Sequence, residues 1–440
     1  MFEEIGVAGF DDLLQPVPEN IRLKVQLELP EPLSEIALLS EIKKISCENK
    51  CNLTIFAGGG VYDHFIPAAL ENLISRPEFA TAYTPYQAEV SQGTLQVIYE
   101  FQSHICRLTG MDAANASMYD GASAAAEAAS LSLGKTKRSK IVISETVNPL
   151  YREVIKTYLS GRNVETVIVP HDAGTTDFNR LQAAVDDSTA CTILSQPNFF
   201  GLIEDVQIGA DMIHNVGGLL ALTIDPISAA LLKTPAECGA DIVVGEGQPL
   251  GIPLNYGGPL LGFFAVRKEL VRQLPGRLVA RTEDEAGNPG FVLTLQTREQ
   301  HIRREKATSN ICTNQALCAT MATIYMSLMG KYGLKQIALL SMDKAYRAFE
   351  KIGTVSGFDP YFNGSFVKEF VIRTPIPAKD IINKLIEEKS ILPGISLHKY
   401  YPGMENALMV AITEKRTEAE IEMFGRALEE YTTDAVLSKM

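Results

Sequence analysis

Tryptophan is absent from this chain of 440 residues, and so are several features that would place the chain in a specialised class. The seven cysteines are scattered and odd in number with no CxxC pair, which argues against a disulfide framework and favours reduced thiols. No stretch approaches the ~20 apolar residues that a membrane-spanning helix needs. The N-terminal segment MFEEIGVAGFDDLL is acidic, unlike a secretory signal or an Arg-rich transit peptide. We therefore expect a cytoplasmic protein.

Positive charge is also scarce. The chain carries 40 Lys and Arg against 53 Asp and Glu, a formal net charge of -13, so we predict no nucleic-acid partner and no membrane partner. The six histidines are dispersed and no HExxH or Ser/His/Asp set is present, so we expect no metal site. A hydrophobic content of 46% with 21% charged residues is typical of a folded globular protein, here long enough for more than one domain.

Short apolar runs rich in β-branched residues recur between residues 118 and 266, and segments of helical pattern or loops separate them. This alternation is typical of an α/β fold, with a parallel, doubly wound sheet covered by helices on both faces. The predicted strands are Lys140–Ser144, Thr166–Val169, Thr192–Ser195, Leu219–Ile224, Asp241–Val244 and Gly262–Val266.

Three domains are predicted along the chain. Residues 1–60 form an N-terminal helical arm, residues 61–334 a large α/β domain, and residues 335–440 a small C-terminal α+β domain. A helical pattern over residues 320–355 bridges the last two. In the small domain we predict strands at Phe366–Arg373 and Leu408–Thr413, and helices at Asp380–Glu388 and Glu418–Tyr431.

Two polar groups are predicted at the edge of the sheet. Asp120, Gly121 and Ser123 precede an Ala-rich helix, where free amides and the helix dipole favour an anion; a capping role for Asp120 or Ser123 is the better interpretation from spacing alone. Asp225 follows the strand Leu219–Ile224, where ligands of open α/β sheets bind. Its carboxylate can keep a pyridine nitrogen protonated, or it can serve in a turn or helix cap.

Two further stretches are rich in polar groups. Tyr83–Glu89 is an aromatic, proline-containing loop of the kind that lines pockets or interfaces. The segment 297–310 contains Arg298, His301 and Arg303 among other charged residues. These side chains are suited to holding a carboxylate or phosphate, but a solvated or interface network of salt bridges fits the interleaved acids equally well.

Several phrases together resemble a known family far more specifically than any one of them does. They are Ala82–Gly93 (AYTPYQAEVSQG), Leu108–Ser117 (LTGMDAANAS), Gln196–Gly201 (QPNFFG) and Arg298–Thr313. They are similar to the P-protein of the glycine cleavage system, the decarboxylating glycine dehydrogenase, in the form whose N-terminal half is a separate subunit 1. The resemblance implies an aspartate-aminotransferase-like fold (fold type I, pyridoxal-phosphate-dependent), with a mostly parallel seven-stranded sheet.

The resemblance also implies a reaction and partners. Subunit 1 joins subunit 2 in a two-plus-two heterotetramer, which decarboxylates glycine on pyridoxal phosphate and passes the aminomethyl group to the lipoyl arm of H-protein. The cofactor is bound covalently by the partner subunit. We expect the candidate site residues of this chain to line the substrate pocket or the subunit interface: Tyr83, Thr84, Tyr86, Gln87, Glu89, Arg298, His301 and Arg303. Asp120, Gly121, Ser123 and Asp225 are then vestiges of a cofactor site.

The absence of one lysine supports this interpretation. In folds of this kind the Schiff-base lysine follows the strand that ends near residue 244, yet no lysine occurs between Lys233 and Lys268. No catalytic residue is therefore expected in this chain alone. Two alternatives remain: a self-sufficient pyridoxal-phosphate decarboxylase or lyase that uses Lys268 or Lys306, and a cofactor-free scaffold of the same fold.

Overall fold

The computed structural model of the chain describes residues 1–23, 25 and 27–437. Contacts divide the chain into two units, Met1–Asn52 and Leu53–Met440. Within its described residues, the first unit contains three α-helices without a buried residue, and most of its large apolar side chains are exposed. Throughout the described part of the chain, no helix combines the length and apolar character needed to cross a membrane.

The bounds of the regular elements are as follows. The α-helices are α1 (Phe2–Ile5), α2 (Phe10–Leu13), α3 (Glu35–Ser46), α4 (Ala68–Ile74), α5 (Pro77–Ala80), α6 (Gln92–Thr109), α7 (Gly121–Thr136), α8 (Pro149–Leu159), α9 (Phe178–Ala184), α10 (Val206–Asn215), α11 (Gln300–Arg303), α12 (Ala316–Gly353), α13 (Ala378–Lys389) and α14 (Glu418–Leu437). The β-strands are β1 (Thr54–Ile55), β2 (Ala113–Ala114), β3 (Lys140–Ser144), β4 (Glu165–Val169), β5 (His171–Asp172), β6 (Thr175–Thr176), β7 (Thr189–Gln196), β8 (Leu219–Ile224), β9 (Ile242–Glu246), β10 (Gly262–Val266), β11 (Val279–Glu283), β12 (Pro289–Leu293), β13 (Asp359–Pro360), β14 (Glu369–Arg373), β15 (Ile391–Leu392), β16 (Ile395–Ser396) and β17 (Ala407–Ala411).

The main sheet of the second unit has seven strands in the order β2-β10-β9-β8-β7-β3-β4. The five strands from β9 to β4 are parallel, and β10 runs antiparallel to both of its neighbours. The predicted mostly parallel sheet is confirmed, and so are all six predicted strands, with ends that differ by a few residues.

Side chains of successive strand residues enter two separate cores, one on each face of this sheet. Val142 and Val243 pack with α6, α10 and α12, whereas their neighbours Ile141 and Ile242 pack against the alanines of α7. A strand that is buried on both faces reads as a continuous apolar run, which explains why these strands were visible in the sequence.

A second sheet, antiparallel and in the order β13-β14-β17-β16, packs with α13, α14 and the second half of α12. We call this group of elements the small domain and the main sheet with its helices the large domain; both lie within the one compact unit Leu53–Met440. The predicted bridging helix is confirmed as α12, which bends at Gly330, where φ is 59° and ψ is -175°. The short strand β1 pairs in parallel with β15, so Thr54 and Ile55 contribute to the small domain.

The loop after β7 joins the two domains. Leu202 forms an antiparallel bridge with Phe366, and the amide of Ile203 donates to the carbonyl of Ser365 at 2.9 Å. This pairing brings Lys368 and Glu369, at the start of β14, over the carboxyl edge of the main sheet. Gly201 permits the approach, because a Cβ there would lie 2.1 Å from the carbonyl oxygen of Glu369.

We predict that Gly201→Ala destabilises the protein more than Gly403→Ala does. Both glycines have left-handed backbones, with φ of +87° and +89°, but no atom lies within 4 Å of a Cβ at Gly403. Gly403→Ala should cost about 1 kcal/mol through backbone strain. Gly201→Ala should cost about 2 kcal/mol more, since backbone must move. Urea unfolding of both variants measures this difference; equal losses would show that the close approach at Gly201 is unimportant.

Candidate functional site

A cavity of about 60 Å³ lies where β7, β8 and β9 end, between the main sheet and the small domain. Its lining includes Asp225 after β8, Glu246 at the end of β9, and Lys368 and Glu369 from the small domain. Ligands of open α/β sheets bind in crevices at the carboxyl ends of the strands. The position is therefore that of a ligand site, and an adjoining cavity of about 470 Å³ shares Asn148, Tyr151 and Glu246 with it.

A buried ion pair occupies one side of this cavity. The Nζ atom of Lys368 lies 2.8 Å from Oδ1 of Asp225, and the two side chains are only 3% and 11% exposed. The other carboxylate oxygen, Oδ2, accepts hydrogen bonds from the amide and the hydroxyl of Ser228. Burial acts to raise the pKa of Asp225, but Lys368 outweighs it and holds that pKa below its ordinary value.

The same ammonium group contacts a buried histidine. Nε2 of His64 lies 3.1 Å from Nζ of Lys368, and Nδ1 lies 2.6 Å from Oε2 of Glu414. Because an ammonium can only donate, Nε2 accepts and the ring proton is assigned to Nδ1, which donates to Glu414. Burial, together with the charge of Lys368, lowers the pKa of His64, in agreement with a neutral imidazole.

A tyrosine and a second carboxylate complete this side of the cavity. Nζ of Lys368 lies 3.5 Å from the ring centroid of Tyr62, a cation–π contact. The hydroxyl of Tyr62 donates to Oε2 of Glu369 at 2.7 Å, and the amide of Gly59 donates to Oε1 at 2.7 Å. Lys368 is thus fixed by an acid, an imidazole and an aromatic face, all of them buried.

The opposite side is occupied by Glu246. Its carboxylate accepts three backbone amide hydrogen bonds, from Gly121 at 3.0 Å, Gln248 at 2.9 Å and Leu261 at 2.8 Å. Gly121 is the first residue of α7, so Glu246 lies at a helix N-terminus, where anions are favoured. Burial raises the pKa of Glu246 to about 7, against the opposing effect of the three amides.

The start of α7 has the capping geometry that the spacing favoured. Oδ1 of Asp120 accepts from the amide of Ser123 at 2.6 Å, and Oγ of Ser123 accepts from the amide of Asp120 at 3.2 Å. These reciprocal bonds form a capping box. Asp225 lines the cavity, Asp120 lines the adjoining one, and Gly121 reaches both through its bond to Glu246. Ser123 is buried.

The loop Tyr83–Glu89 lies elsewhere and lines no part of the cavity. Its tyrosines are exposed, Tyr83 by 67% and Tyr86 by 80%, and their rings are 6.3 Å apart. Gln87 and Glu89 are exposed as well. Thr84 is half-buried, and its hydroxyl accepts a hydrogen bond from the guanidinium of Arg277. The loop thus presents aromatic and polar groups outward from one anchored residue.

The segment 297–310 is also separate from the cavity. His301 and Arg303 are exposed, and Nδ1 of His301 lies 3.7 Å from the buried carboxylate of Glu299. Arg298 is partly buried; Nη1 donates to the carbonyl of Leu274, but Nε and Nη2 have no partner within the described residues. Burial lowers the pKa of Arg298. Arg277, which anchors Thr84, also interacts electrostatically with Glu299, so the two stretches are neighbours.

Sequence reasoning missed most of the side chains around Asp225. Lys368 and Glu369 carried one signal, a pair of charged residues inside the apolar run from Phe366 to Ile372. Glu246 lies in the stretch that lacks the expected lysine, yet nothing in its sequence position indicated that it bonds to the start of α7. His64 and Tyr62 had no distinguishing pattern.

Comparison with known proteins identifies close relatives over nearly the whole chain. A family model described as the glycine cleavage system P-protein matches residues 1–428. The probable glycine dehydrogenase (decarboxylating) subunit 1 of Carboxydothermus hydrogenoformans is 50% identical over 424 residues, which cover 96% of this chain and 95% of that protein. The protein of the same name from Chloroherpeton thalassium is 50% identical over 432 residues, covering 98% and 97%.

Solved structures agree on the fold. A crystal structure of glycine decarboxylase (P-protein) of the glycine cleavage system, in inhibitor-bound form, matches with a TM-score of 0.90 and 39% identity over 98% of this chain and 97% of that one. The Burkholderia pseudomallei sphingosine-1-phosphate lyase has a TM-score of 0.64 at 12% identity, covering 96% and 98%, which is evidence of fold alone. The fold is that of fold type I pyridoxal-phosphate enzymes, as predicted.

The residues at this cavity do not fit pyridoxal phosphate. The carboxylate that would hold the pyridine nitrogen is already paired with Lys368, and the amides that would receive the phosphate are already bonded to Glu246. Lys368 is the one lysine of the cavity lining, and the region after β9 contains none. Neither Lys268 nor Lys306 lines the cavity.

We predict that Glu246→Gln removes a decrease in the free energy of unfolding that the native protein shows as the pH rises from 5 to 8. A folded-state pKa of about 7, raised from the ordinary 4.5, means that Glu246 stabilises the native state fully only below that ordinary pKa. This contribution, about 3 kcal/mol, is lost as the pH rises toward 7. The free energy of unfolding of the native protein minus that of the variant should therefore decrease between pH 5 and pH 8.

Chemical unfolding at several pH values measures this difference. Glu78→Gln is the matched control, because Glu78 is exposed and its bond to Arg76 lowers its pKa. The control should show no decrease with rising pH. A difference between native protein and Glu246→Gln that stays constant from pH 5 to 8 would contradict the assignment.

Proposed function

The chain belongs to the glycine cleavage system P-protein family, and on this basis we propose that it is the lysine-free subunit of a two-subunit decarboxylating glycine dehydrogenase. The observation that carries the proposal is the ion pair of Lys368 with Asp225, in a chain that has no lysine between Lys233 and Lys268. A chain whose cofactor position is filled by its own side chains needs a partner to supply the chemistry.

The complex we propose is a two-plus-two heterotetramer with subunit 2, which binds pyridoxal phosphate covalently. It decarboxylates glycine and transfers the aminomethyl group to the lipoyl arm of H-protein. Decarboxylation at an amino acid depends on an electron sink that protein side chains lack, which is why a cofactor is required. The partner subunit, lipoylated H-protein and glycine are therefore the partners of this chain.

We assign the loop Tyr83–Glu89 to the wall of the partner's glycine pocket. Two exposed tyrosines side by side are unusual for a free surface and typical of interfaces, where aromatic rings combine apolar area with a polar end. The anchor at Thr84 fixes the loop at one point and leaves Tyr86, Gln87 and Glu89 pointing outward. Such residues are available to a neighbouring subunit.

The segment 297–314 is assigned to the same interface. Within the described residues, two nitrogens of Arg298 are without a partner, as are Oγ1 of Thr313 and Oδ1 of Asn314. A buried polar group without a hydrogen bond costs about 1–3 kcal/mol, so these atoms mark a place where the packing of the single chain is incomplete. His301 and Arg303 are exposed beside Arg298 and extend this surface.

Lys368 is the residue that a self-sufficient enzyme would have to use, because it is the lysine of the cavity lining. Its ammonium is paired with the carboxylate of Asp225, which in such an enzyme binds the pyridine nitrogen. The Schiff-base carbon is on the opposite side of the pyridine ring from that nitrogen. Lys368 and a bound cofactor would therefore compete for Asp225, which favours the two-subunit function.

We predict that reduction with borohydride labels the partner and leaves this chain unmodified. The purified chain, and the complex with subunit 2, are incubated with pyridoxal phosphate, reduced and analysed by intact mass and peptide mapping. We expect a pyridoxyl adduct on a lysine of subunit 2 alone. A stoichiometric adduct on Lys368, Lys268 or Lys306 would show that this chain holds its own centre.

We predict that Tyr83→Phe, Tyr86→Phe and Glu89→Gln each lower the turnover of the complex by about tenfold or more, the effect of losing one hydrogen bond near the substrate. Glycine-dependent turnover of reconstituted complexes measures this, after gel filtration has shown that each variant still assembles. Tyr332→Phe is the control, since Tyr332 is 86% exposed on α12. Unchanged turnover in all three variants would exclude the loop from the pocket.

A further inference from the structure

An ammonium and a carboxyl group of this chain occupy the positions at which an enzyme of this fold receives the two charged ends of its cofactor. A carboxylate at the end of a central strand pairs with the protonated pyridine nitrogen, and a helix N-terminus receives the phosphate. In this chain the first position is held by Lys368 and the second by Glu246. Both line one cavity, and Tyr151 is part of the same wall.

At the first position, Lys368 reproduces what a pyridinium would offer. It places a positively charged N–H donor 2.8 Å from Oδ1 of Asp225, and Ser228 already bonds the other oxygen of that carboxylate. The ammonium also has the imidazole of His64 and the ring of Tyr62 as neighbours, so it is held in place from three sides.

At the second position, Glu246 reproduces what a phosphate would offer. Its two oxygens accept from three amides, one of them the first amide of α7, which otherwise has no intrahelical partner. The hydroxyl of Tyr151 lies against Gly121, since a Cβ on that glycine would be 2.1 Å from it. The helix N-terminus is therefore covered as well as bonded.

We propose that Lys368 and Glu246 are built-in substitutes for the pyridinium and the phosphate, and that they allow this chain to fold with the polar groups of its cofactor position already paired. This inference rests on the proposed function, since it supposes that the cofactor is held elsewhere. Without the substitutes, Asp225 would be a buried anion without a countercharge and the amides at Gly121 and Leu261 would be buried donors without acceptors.

The cation position is tested by chemical rescue of Lys368→Ala. The variant should lose about 100-fold or more in its folding equilibrium constant, because Asp225 is left buried and unpaired. Ethylammonium chloride should then raise its melting temperature by roughly 2 °C or more relative to equal sodium chloride. Lys140→Ala breaks another lysine–aspartate pair, with Asp186, outside the cavity, and should gain nothing from the amine.

The Asp225→Asn/Lys368→Met double variant provides a second test in case Lys368→Ala does not fold. It removes both charges and keeps the volume of the lysine stem, so it should be markedly more stable than Lys368→Met alone. Equal stability of these two variants, or no rescue by ethylammonium, would overturn the assignment of Lys368.

The anion position is tested with inorganic phosphate. Glu246→Ala frees three amide donors at a helix N-terminus, so phosphate should raise its melting temperature by roughly 2 °C or more relative to equal ionic strength of chloride. Glu246→Gln keeps the side-chain volume and should show no such gain. An equal response of the two variants, or none from Glu246→Ala, would overturn the assignment of Glu246.

Pyridoxal phosphate added to the unmodified chain separates this inference from the proposed function. Noncovalent binding or a reducible adduct at this cavity would defeat both. If the unmodified chain does not bind pyridoxal phosphate and the two rescue experiments fail, Lys368 and Glu246 are not substitutes for the cofactor, while the two-subunit function stands.

Discussion

The buried ion pair between Asp225 and Lys368 is the interaction on which the arrangement of this site depends. Its acid comes from the end of β8 in the large domain and its base from the start of β14 in the small domain. Removing one member of such a pair is far more costly than replacing both, because a single buried charge remains. The pair therefore fixes the small domain over the carboxyl edge of the sheet, and His64, Tyr62 and Glu369 are arranged around it.

The groups available for chemistry and for association lie in different parts of the molecule. Around the cavity, the carboxylates of Asp225, Glu246 and Glu369 all have partners within the chain. In the segment 297–314, some buried polar atoms have no hydrogen-bond partner among the described residues. In the loop Tyr83–Glu89, aromatic rings are exposed. The titratable groups at the sheet edge are therefore paired within the chain, whereas the exposed aromatic rings of the loop are free to contact another molecule.

The sequence was a good guide to the main sheet and a poor guide to the site. Strands buried on both faces appear as apolar runs, and β3, β8 and β10 have the predicted bounds. The pairs β1–β15 and β11–β12 were missed. The strands β1 and β15 are each two residues long and meet through tertiary contacts, so no local pattern indicates them. The capping box at Asp120 is local and followed from spacing, whereas Lys368 lies 143 residues from its partner, beyond the reach of any local pattern.

In the proposed two-subunit function, Asp225 needs no bound cofactor to neutralise it, because Lys368 does so. Where no cofactor binds at this position, no pyridinium neutralises this acid. A buried, uncompensated charge then costs several kcal/mol, a large part of the ~5–15 kcal/mol that keeps a domain folded. The acid must be replaced, hydrated or paired, and this chain pairs it with a base from its other domain. An aspartate at the end of this strand is therefore evidence of cofactor binding only where no side chain of the same protein already neutralises it.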